Sequence, residues 1–496
     1  MKNALIISYY FPPAGGPGVQ RVAKHVKYLR EWGYNPIVIT ATPEDYVRCS
    51  ELSMPLDESL ARDVPAETEI HRVPSHQPFR FFTLLRRMRL EYLRELLFVP
   101  DSALTWVIPA ILRARRIARE KPIDIIYTSV KPHSVAITGW VLRHLLARPW
   151  IIDFRDPWTQ YFLATFPTRL HYLIERMLER CLLRQADHVI TITPTARENL
   201  LEWCAFLAPA KVSCITNGYD EEDFARQQVD HAGNGVFTLV YAGIFCGGPM
   251  MEKASSHNPM ESLWRRLRNH LAYAPRHFDR AAHSPKFFLD ALKELLSEQP
   301  DLRGRIRLIH AGPFSEENER YAKELGLEAV IDARGYQPHA EAVRCLEQGD
   351  AAFLCLADSP AGERNDCVPQ KVYECLGTGK PVLALLPDGD ARDILAQAGT
   401  ALLCSPRDVG AIKASLLALV EHKWRAQADE CFIASFQRRQ LTARLAGIMD
   451  RTLVGRNPEP QSNAFTTMMP ATSSATAGAL LPSGHGRNHK AGNDAR

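Results

Sequence analysis

Short runs of apolar residues recur along the chain, and most are followed by a segment with helical periodicity. The first run covers residues 4–8 (ALIIS), and a glycine-rich loop, an amphipathic segment and a second run at residues 35–40 follow it. Continuous apolar runs are typical of parallel strands that are covered on both faces. The opening of the chain is therefore predicted to form a strand–helix–strand unit.

The same alternation continues to about residue 450, with one interruption. Residues 227–235 (QQVDHAGNG) are polar, and a new apolar run that ends in glycines begins after them. We interpret this stretch as a boundary between two domains. Further strand candidates lie on both sides of it, at residues 123–130, 149–154, 186–193, 211–218, 236–248, 305–314, 329–336, 350–357, 380–386 and 401–406.

The predicted fold class is α/β, with two doubly wound Rossmann-like domains that face each other across a cleft. The expected domains are residues 1–230 and 235–455, and the last helix, at about 425–450, is a candidate to pack back onto the first domain. In such folds the carboxyl ends of the strands line the ligand site. An insertion at about 248–283 interrupts the second domain, and residues 456–496, rich in Ala, Ser, Thr, Gly and Pro, are expected to be a disordered tail.

Composition narrows the class of protein. The 496 residues are 46% hydrophobic and 23% charged, with a net charge of +4, as in a globular enzyme or binding protein. No nucleic-acid partner is indicated. The 11 cysteines include no C-x-x-C pair, which argues against a metal site or a disulfide framework and favours a reducing cytoplasm. The start lacks a cleavage site of signal-peptide type, and no apolar run is long enough to span a membrane.

Three groups of residues in the first half are predicted to lie at the carboxyl ends of strands. A glycine loop that contains Gly15 and Gly16 opens the first helix, where backbone N–H groups can face an anion. Its spacing differs from a dinucleotide fingerprint, and a tight turn without a ligand is the alternative. His133 follows another strand and could act as a base or simply neighbour a helix cap. Arg155 and Asp156 end a further strand, where such a pair often only fixes a loop.

The segment at residues 363–385 (ERNDCVPQKVYECLGTGKPVLAL) carries the densest chemistry. A short helix is predicted after Pro369, and Gly377 and Gly379 should end it before an apolar strand. Glu374 would lie in this helix, where a carboxylate can accept both hydroxyls of a ribose. Asp366 in the preceding loop could reach a sugar, and Lys371 could neutralise a phosphate. A solvated, charged helix would explain the lysine equally well, but not the glycine turn.

Together these motifs resemble glycosyltransferase family 4, a group of retaining enzymes with the GT-B fold. The resemblance covers about residues 1–450 and rests on YYFPPAGGPGVQR, SVKPHS, DFRDPW, ITNGYDEEDF and, most specifically, VPQKVYECLGTGKPVLA. It implies transfer of a sugar from a nucleotide-diphosphate donor to an acceptor hydroxyl with retention, without a metal or other cofactor.

The resemblance also implies roles for individual residues. Asp366 and His133 would be catalytic. Donor binding would fall to the residues of the 363–385 segment and of two strand ends in the second half, Glu374, Lys371, Val372, Gly243, Lys286 and Arg364. The acceptor side would comprise Gly15, Gly16, Arg155 and Asp156. The family usually carries Glu where this chain has Asp366, and it lacks the insertion at 248–283.

The acceptor is indicated only indirectly. Residues 79–98 (FRFFTLLRRMRLEYLRELLF) combine Phe, Leu and Arg as an interfacial helix would, although a buried helix with an Arg-rich outer face is the alternative. Peripheral contact with the inner face of a membrane and a glycan or lipid-linked acceptor are therefore expected. Two other functions fit the same architecture, a nucleotide-sugar 2-epimerase and a non-catalytic sugar-nucleotide binding module.

Overall fold

Two parallel β-sheets form the core of the protein. The computed structural model describes residues 1–49, 56–88, 91–161, 164–224, 235–245, 270–275, 280–360 and 363–455. Within them, the first sheet comprises β1 (Lys2–Ser8), β2 (Tyr34–Ala41), β3 (Glu69–Val73), β4 (Ile125–Val130), β5 (Trp150–Phe154), β6 (His188–Thr191) and β7 (Val212–Cys214). The second comprises β8 (Phe237–Ala242), β9 (Ile306–Ala311), β10 (Ile331–Ala333), β11 (Ala351–Cys355), β12 (Val382–Leu385) and β13 (Ala401–Cys404).

Helices connect successive strands in both halves. The first half contains α1 (Pro17–Tyr28), α2 (Pro43–Cys49), α3 (Glu58–Ala61), α4 (Phe79–Arg87), α5 (Glu91–Leu97), α6 (Leu104–Glu120), α7 (Ser134–Leu146), α8 (Arg169–Gln185) and α9 (Pro194–Trp203). The second contains α10 (Lys286–Glu298), α11 (Glu316–Glu324), α12 (His339–Gln348), α13 (Gln370–Thr378), α14 (Asp390–Ala398), α15 (Val409–Val420), α16 (Glu430–Ala434) and α17 (Arg438–Val454). Short 3₁₀ turns occupy Leu29–Trp32, Pro209–Lys211, Glu221–Asp223, Arg280–His283, Pro300–Leu302 and Glu328–Val330.

The two sheets share one strand order. The first runs β3-β2-β1-β4-β5-β6-β7 and the second runs β10-β9-β8-β11-β12-β13, with parallel pairing throughout. In both, the order reverses beside the first strand of the half, between β1 and β4 and between β8 and β11. Ligands of doubly wound folds bind at such reversal points. The predicted α/β class with two doubly wound halves is confirmed.

The residue patterns explain why some strands and helices could be predicted and others could not. The central strands are continuous apolar runs, and β1 is buried from Ala4 to Ser8. Strand β3 was not predicted because it lies at the sheet edge, where EIHRV has only two apolar residues and its first four residues are half-buried. The expectation of one helix over residues 79–98 was wrong, since two separate helices, α4 and α5, occupy it.

The last helix returns to the first half of the chain. Leu441, Leu445 and Met449 of α17 are buried in one cluster with Val22 and Val26 of α1. The backbone of Tyr219 also bridges to the segment before α17: its N–H donates to the carbonyl of Phe436 at 3.1 Å, and its carbonyl accepts from the N–H of Arg438 at 2.8 Å. The chain thus crosses from the second sheet back to the first just before α17.

Two predicted segments fall largely outside the described residues. Of the insertion at about 248–283, only 270–275 and 280–283 are described, and the expected tail at 456–496 lies wholly outside. In the part of the chain that is described, no helix combines the length and apolar character needed to cross a membrane.

Candidate functional site

Helix α13 carries two of the predicted donor-binding side chains. It begins after Pro369 and ends at Gly379, whose φ of 66° is favourable only for glycine. Lys371 and Glu374 are three residues apart and therefore share one face of the helix. Gly377 lies inside the helix rather than at its end. A Cβ there would stand 2.5 Å from the ring of Phe224, so the glycine lets that ring pack closely against α13.

Lys371 lies beside the end of β8. Its Nζ stands 4.1 Å above the ring centroid of Tyr241, contacts the Tyr241 hydroxyl and is 3.4 Å from Nε2 of His283. Burial and the lysine charge hold the pKa of His283 well below its usual value, so this imidazole is neutral. Gly243, with φ 132°, follows β8, and a Cβ on it would be 3.7 Å from the same Nζ. A cation and a glycine therefore meet at the reversal point of the second sheet.

Glu374 is buried against a histidine that the sequence reasoning missed. Its Oε1 is 3.6 Å from Nδ1 of His339, the first residue of α12. The His339 ring also contacts Asp223 at 3.2 Å and Gln20 at 3.0 Å. Burial alone would lower the pKa of His339, but the hydrogen bond to Asp223 and the charge of Glu374 raise it. In the sequence, His339 is marked only by a Pro-His pair at the start of a helix, the same pattern that occurs at His133.

Asp366 joins the second half to the first. It is buried, its carbonyl accepts a hydrogen bond from Oγ1 of Thr193 at 3.1 Å, and its carboxylate accepts one from Nδ2 of Asn199 at 3.3 Å. Thr193 caps the start of α9, and Asn199 lies within that helix. The predicted catalytic acid therefore sits where the two halves meet, and α9 was not foreseen as part of this site.

The side chains of the other three predicted donor-binding residues either pair with other residues or are buried. Nζ of Lys286 pairs with Asp290 at 2.8 Å and with the Tyr321 hydroxyl at 3.0 Å. Arg364 forms an ion pair with Asp393. The side chain of Val372 is fully buried. The structure thus brings Lys371, Gly243 and Glu374 to one end of the second sheet, and it engages Lys286 and Arg364 with acids of their own half.

The predicted acceptor-side residues of the first half lie against each other. Gly16 caps α1 with φ 100°, and a Cβ on Gly18 would be 1.5 Å from Nη1 of Arg155. The guanidinium of Arg155 donates to the carbonyl of Lys131 at 2.7 Å, and burial lowers its pKa. Asp156 is 3.7 Å from Nζ of Lys131. The glycine loop that includes Gly15 is therefore packed against an arginine of the chain itself.

His133 stacks on an aromatic ring at this rim. Its ring lies 4.5 Å from that of Trp158, nearly parallel at 4°. Burial, together with the charges of Lys131 and Arg155, holds the pKa of His133 well below its usual value. Trp158 in turn donates from Nε1 to Glu175 of α8 at 2.8 Å. A neutral imidazole of this kind can accept a hydrogen bond from a hydroxyl, but its lowered pKa makes it a weaker base than a free histidine.

Two acids behind the rim are unusually weak. Burial raises the pKa of Glu175 and of Glu179 to about 7, although hydrogen bonds from Trp158 and Thr159 oppose the rise. Both lie on α8, four residues apart.

Helix α1 buries a charged face inside the first half. Arg21 donates to both oxygens of Asp153, at 2.8 and 3.0 Å, and to the carbonyls of Ile215 and Thr216. Burial raises the pKa of Tyr127 well above its usual value, and the negative charge of Asp153, which the Tyr127 hydroxyl contacts, raises it further. A buried ion pair thus joins α1 to the carboxyl end of β5.

A group of three carboxylates has the composition of a cation site. Oxygens of Asp63, Asp220 and Asp223 lie within 4.8 Å of one another among the described residues. Nζ of Lys24 is 2.9, 2.8 and 2.8 Å from them. This ammonium already supplies the positive charge that the acids need, and the expectation that no metal is required stays a prediction.

Gln370 ties three parts of the chain together. Its Nε2 donates to the carbonyl of Gly218 at 2.7 Å, and its Oε1 accepts from Arg438 of α17 at 2.7 Å. Burial and the nearby charge of Arg21 lower the pKa of Arg438 to about 10. The helix that bears Glu374 is therefore anchored both to the end of the first half and to the returning helix.

Comparisons with known proteins agree with this architecture. Residues 15–218 match the family described as glycosyl transferase 4-like domain. The fold is similar to that of sucrose-phosphate synthase from Thermosynechococcus elongatus, with 14% identity, a TM-score of 0.57, and 92% of this chain and 100% of that chain covered. No curated protein matches the sequence at a significant level.

Two further solved structures share the fold. The lipopolysaccharide outer core galactosyltransferase WaaB is 14% identical, with a TM-score of 0.51 over 92% of this chain and 99% of that chain. Anabaena HepE, solved with UDP-glucose, is 14% identical, with a TM-score of 0.50 over 92% and 98%. The GT-B fold that the resemblance implied is confirmed.

Proposed function

We propose that this chain, whose residues 15–218 match the family described as glycosyl transferase 4-like domain, is a hexosyltransferase acting on a nucleotide-diphosphate sugar. The sugar is transferred to an acceptor hydroxyl with retention, and no metal or other cofactor takes part. The role is in the synthesis of an envelope or extracellular polysaccharide or glycolipid. Two domains, divided near residues 230–235, supply the donor and acceptor sides.

The observation that carries the proposal is the grouping of Lys371, Gly243 and Glu374 at one end of the second sheet. Lys371 and Glu374 share a face of α13, and the Lys371 ammonium stands beside Gly243 at the end of β8. A cation next to a glycine suits a diphosphate, because the backbone can approach the anion closely. A carboxylate one helical turn away suits the hydroxyls of a ribose.

The leaving diphosphate is the centre of the mechanism. As the glycosidic bond breaks, negative charge develops on the diphosphate, and the Lys371 ammonium stabilises it. Glu374 fixes the nucleoside end, so the bond to be broken is held in place. Lys286 and Arg364 would add to this stabilisation only after leaving Asp290 and Asp393, with which they pair.

Residues of the junction and of the first half would act on the sugar and the acceptor. Asp366 lies near the transferred sugar, where its carboxylate stabilises positive charge that develops on the ring. His133, neutral at physiological pH, accepts a hydrogen bond from the acceptor hydroxyl. Arg155 and the loop of Gly15 and Gly16 shape the acceptor side, and Asp156 holds Lys131 beside it.

The setting of the reaction is proposed from the fold and from residues 79–98. Helices α4 and α5 expose Phe81, Leu84 and Leu97 among arginines, which suits contact with the inner face of a membrane from the cytoplasmic side. The acceptor would be a glycan or a lipid-linked glycan. The likeness in fold to a lipopolysaccharide galactosyltransferase and to a protein solved with UDP-glucose supports this class of acceptor and donor.

Acceptor-dependent loss of the donor tests the proposal. Purified protein is incubated with nucleotide sugars, with and without a lipid-linked glycan fraction, and nucleoside diphosphate release is measured. We expect release only with acceptor, and nuclear magnetic resonance should show the anomeric configuration of the donor retained in the product. Epimerised sugar nucleotide without acceptor would instead identify an isomerase, and binding without turnover would identify a binding module. Either outcome overturns the proposal.

A further inference from the structure

Helix α8 has an apolar side that faces solvent. Leu170, Leu173, Ile174 and Met177 are exposed, and their spacing of three, four and seven residues places them on one stripe, here called the α8 face. Leu170 and Met177 are 64% and 65% exposed. The opposite side of the helix is buried through Leu182 and Leu183 in the core of the first half. The helix therefore carries two apolar stripes, one buried in the core and one facing solvent.

The charges of α8 are sorted by sign. Its two acids, Glu175 and Glu179, are buried and accept hydrogen bonds from Trp158 and Thr159. Arg169 and Arg184 are exposed near the two ends of the helix. The solvent side of α8 thus combines large apolar residues with arginines, and every acid of this helix lies on the inner side. A surface of this composition is complementary to an anionic, partly apolar partner.

Neighbouring helices continue the same surface. Buried residues of α6, α7 and α8 belong to one core cluster on one side of the first sheet, so the outer sides of these helices face the same way. Helix α6 exposes Leu104, Ile108 and Leu112 on that outer side and carries the arginines 113, 115, 116 and 119.

Helix α5 adjoins the start of α8. Nε2 of His171 donates to the carbonyl of Leu96 at 3.2 Å, and the next residue, Leu97, is 63% exposed. The exposed Leu97 at the end of α5 therefore lies next to the start of α8.

The inner side of α8 leads to the acceptor rim. Glu175 holds the indole of Trp158, and that indole stacks on His133. The helix itself, together with Glu175 and Trp158, thus lies between the α8 face and His133, which is proposed to contact the acceptor.

We propose that the α8 face docks on an anionic lipid bilayer and, together with the outer side of α6, sets the orientation of the protein on it. The apolar side chains enter the boundary between headgroups and acyl chains, and the arginines pair with lipid phosphates. The use of this surface, delivery of a lipid-linked acceptor, rests on the proposed function. The docking itself does not depend on it.

Vesicle co-sedimentation of the full chain provides the test. The vesicles contain phosphatidylcholine alone or phosphatidylcholine with phosphatidylglycerol. The variant Leu170→Gln with Met177→Gln replaces two exposed residues by a polar residue of similar helix propensity. The matched control, Trp32→Gln with Val454→Gln, changes two exposed apolar residues on the opposite side of the first sheet, near α17.

Wild type and control should bind the phosphatidylglycerol vesicles, and the α8 variant should bind them about tenfold more weakly. Binding to phosphatidylcholine alone should be weak for all three proteins. Equal binding by the α8 variant and wild type would overturn the proposal. A wild-type dimer that the variant converts to monomer would instead make the face an interface between copies. A loss of thermal stability without a change in vesicle binding would make it internal packing. None of these readouts requires donor turnover, so failure here is separable from failure of the proposed function.

Discussion

The reversal points of the two sheets have the same strand order but different contents. In the first sheet, Arg21 and Asp153 form a buried pair beside β4 and β5, and Arg155 fills the space next to Gly18. In the second sheet, Gly243 stands next to the ammonium of Lys371, and Glu374 contacts only a histidine among the ion pairs described.

This difference shows how one topology can serve two purposes. The first half uses its crevice to hold its own helices together, since the charges there are satisfied within the chain. In the second half, Lys371 lies beside Gly243 and contacts Tyr241, and Glu374 lies one helical turn away against His339. The proposed function places a diphosphate and a ribose at these two side chains. Substitutions should therefore mainly affect stability in the first crevice and turnover in the second.

The largest effect is expected from Arg21→Met. It leaves the Asp153 carboxylate buried without its main partner, which should lower the free energy of unfolding by about 3–5 kcal/mol. Arg143→Met provides the matched control, because the Arg143–Asp187 pair has the same 2.8 Å distance but is about 30% exposed. That substitution should cost only about 0–1 kcal/mol. Urea denaturation measures both, and similar losses would mean that burial does not set the value of the pair.

Lys371→Met should affect turnover rather than stability. Loss of the ammonium beside Gly243 should reduce kcat by about 100- to 1000-fold, because negative charge on the diphosphate is no longer stabilised. Lys286→Met is the control, since Lys286 is held by Asp290 and Tyr321. We expect its effect on kcat to stay below about tenfold. The reverse ranking would move the diphosphate site from α13 to α10.

The weak acids behind the first crevice should give a pH-dependent stability. The pKa of Glu179 rises from 4.5 to about 7 on folding, so the folded protein holds this proton more tightly. Its contribution to stability is present below pH 4.5 and is lost as the pH rises through 7. Glu179→Gln removes this loss and should become more stable than wild type by about 2–3 kcal/mol above pH 8.

The histidines that are buried in neutral form, among them His25 and His133, destabilise the fold on acidification and act equally in both proteins. The informative quantity is therefore the difference between the two unfolding curves from pH 5 to pH 8. A difference that does not change with pH would show that Glu179 is ionised in the folded protein.

The contact between the halves at α13 can be tested with one glycine. In Gly377→Ala, the new Cβ would lie 2.5 Å from the Phe224 ring, and we expect a loss of about 1–3 kcal/mol in unfolding free energy. Gly447→Ala in α17 is the control, since its nearest contact is 3.6 Å from a flexible arginine. That change should stabilise the protein by about 0.5–1 kcal/mol. If the unfolding free energy rose in both variants or fell in both, the packing of Phe224 on α13 would be contradicted.

Local patterns were sufficient to predict the central strands and the helix that bears Glu374. Continuous apolar runs specify strands such as β1, and the Pro369-to-Gly379 spacing specifies α13. Strand β3 was not predicted because an edge strand needs no continuous apolar run. The division of residues 79–98 into two helices was not predicted because the whole segment has helical composition.

The partners of the site residues could not be predicted in the same way. His339 meets Glu374, and Asn199 meets Asp366, only because distant parts of the chain pack together. Likewise, nothing local indicates that Arg155 would occupy the space beside Gly18 or that Asp290 and Tyr321 would hold Lys286. Sequence motifs identify candidate side chains, and tertiary packing decides which of them can meet a ligand.

The most direct test of the central claim, a nucleotide-sugar site on α13, is a thermal-shift panel of nucleoside diphosphates and nucleotide sugars. Wild type is compared with Glu374→Ala. We predict that compounds of one base raise the melting temperature of wild type. In the variant this rise should largely disappear, because the lost ribose hydrogen bonds weaken binding by about 1–3 kcal/mol. A shift of equal size in both proteins, or no shift with any compound, would contradict the assignment of the donor site.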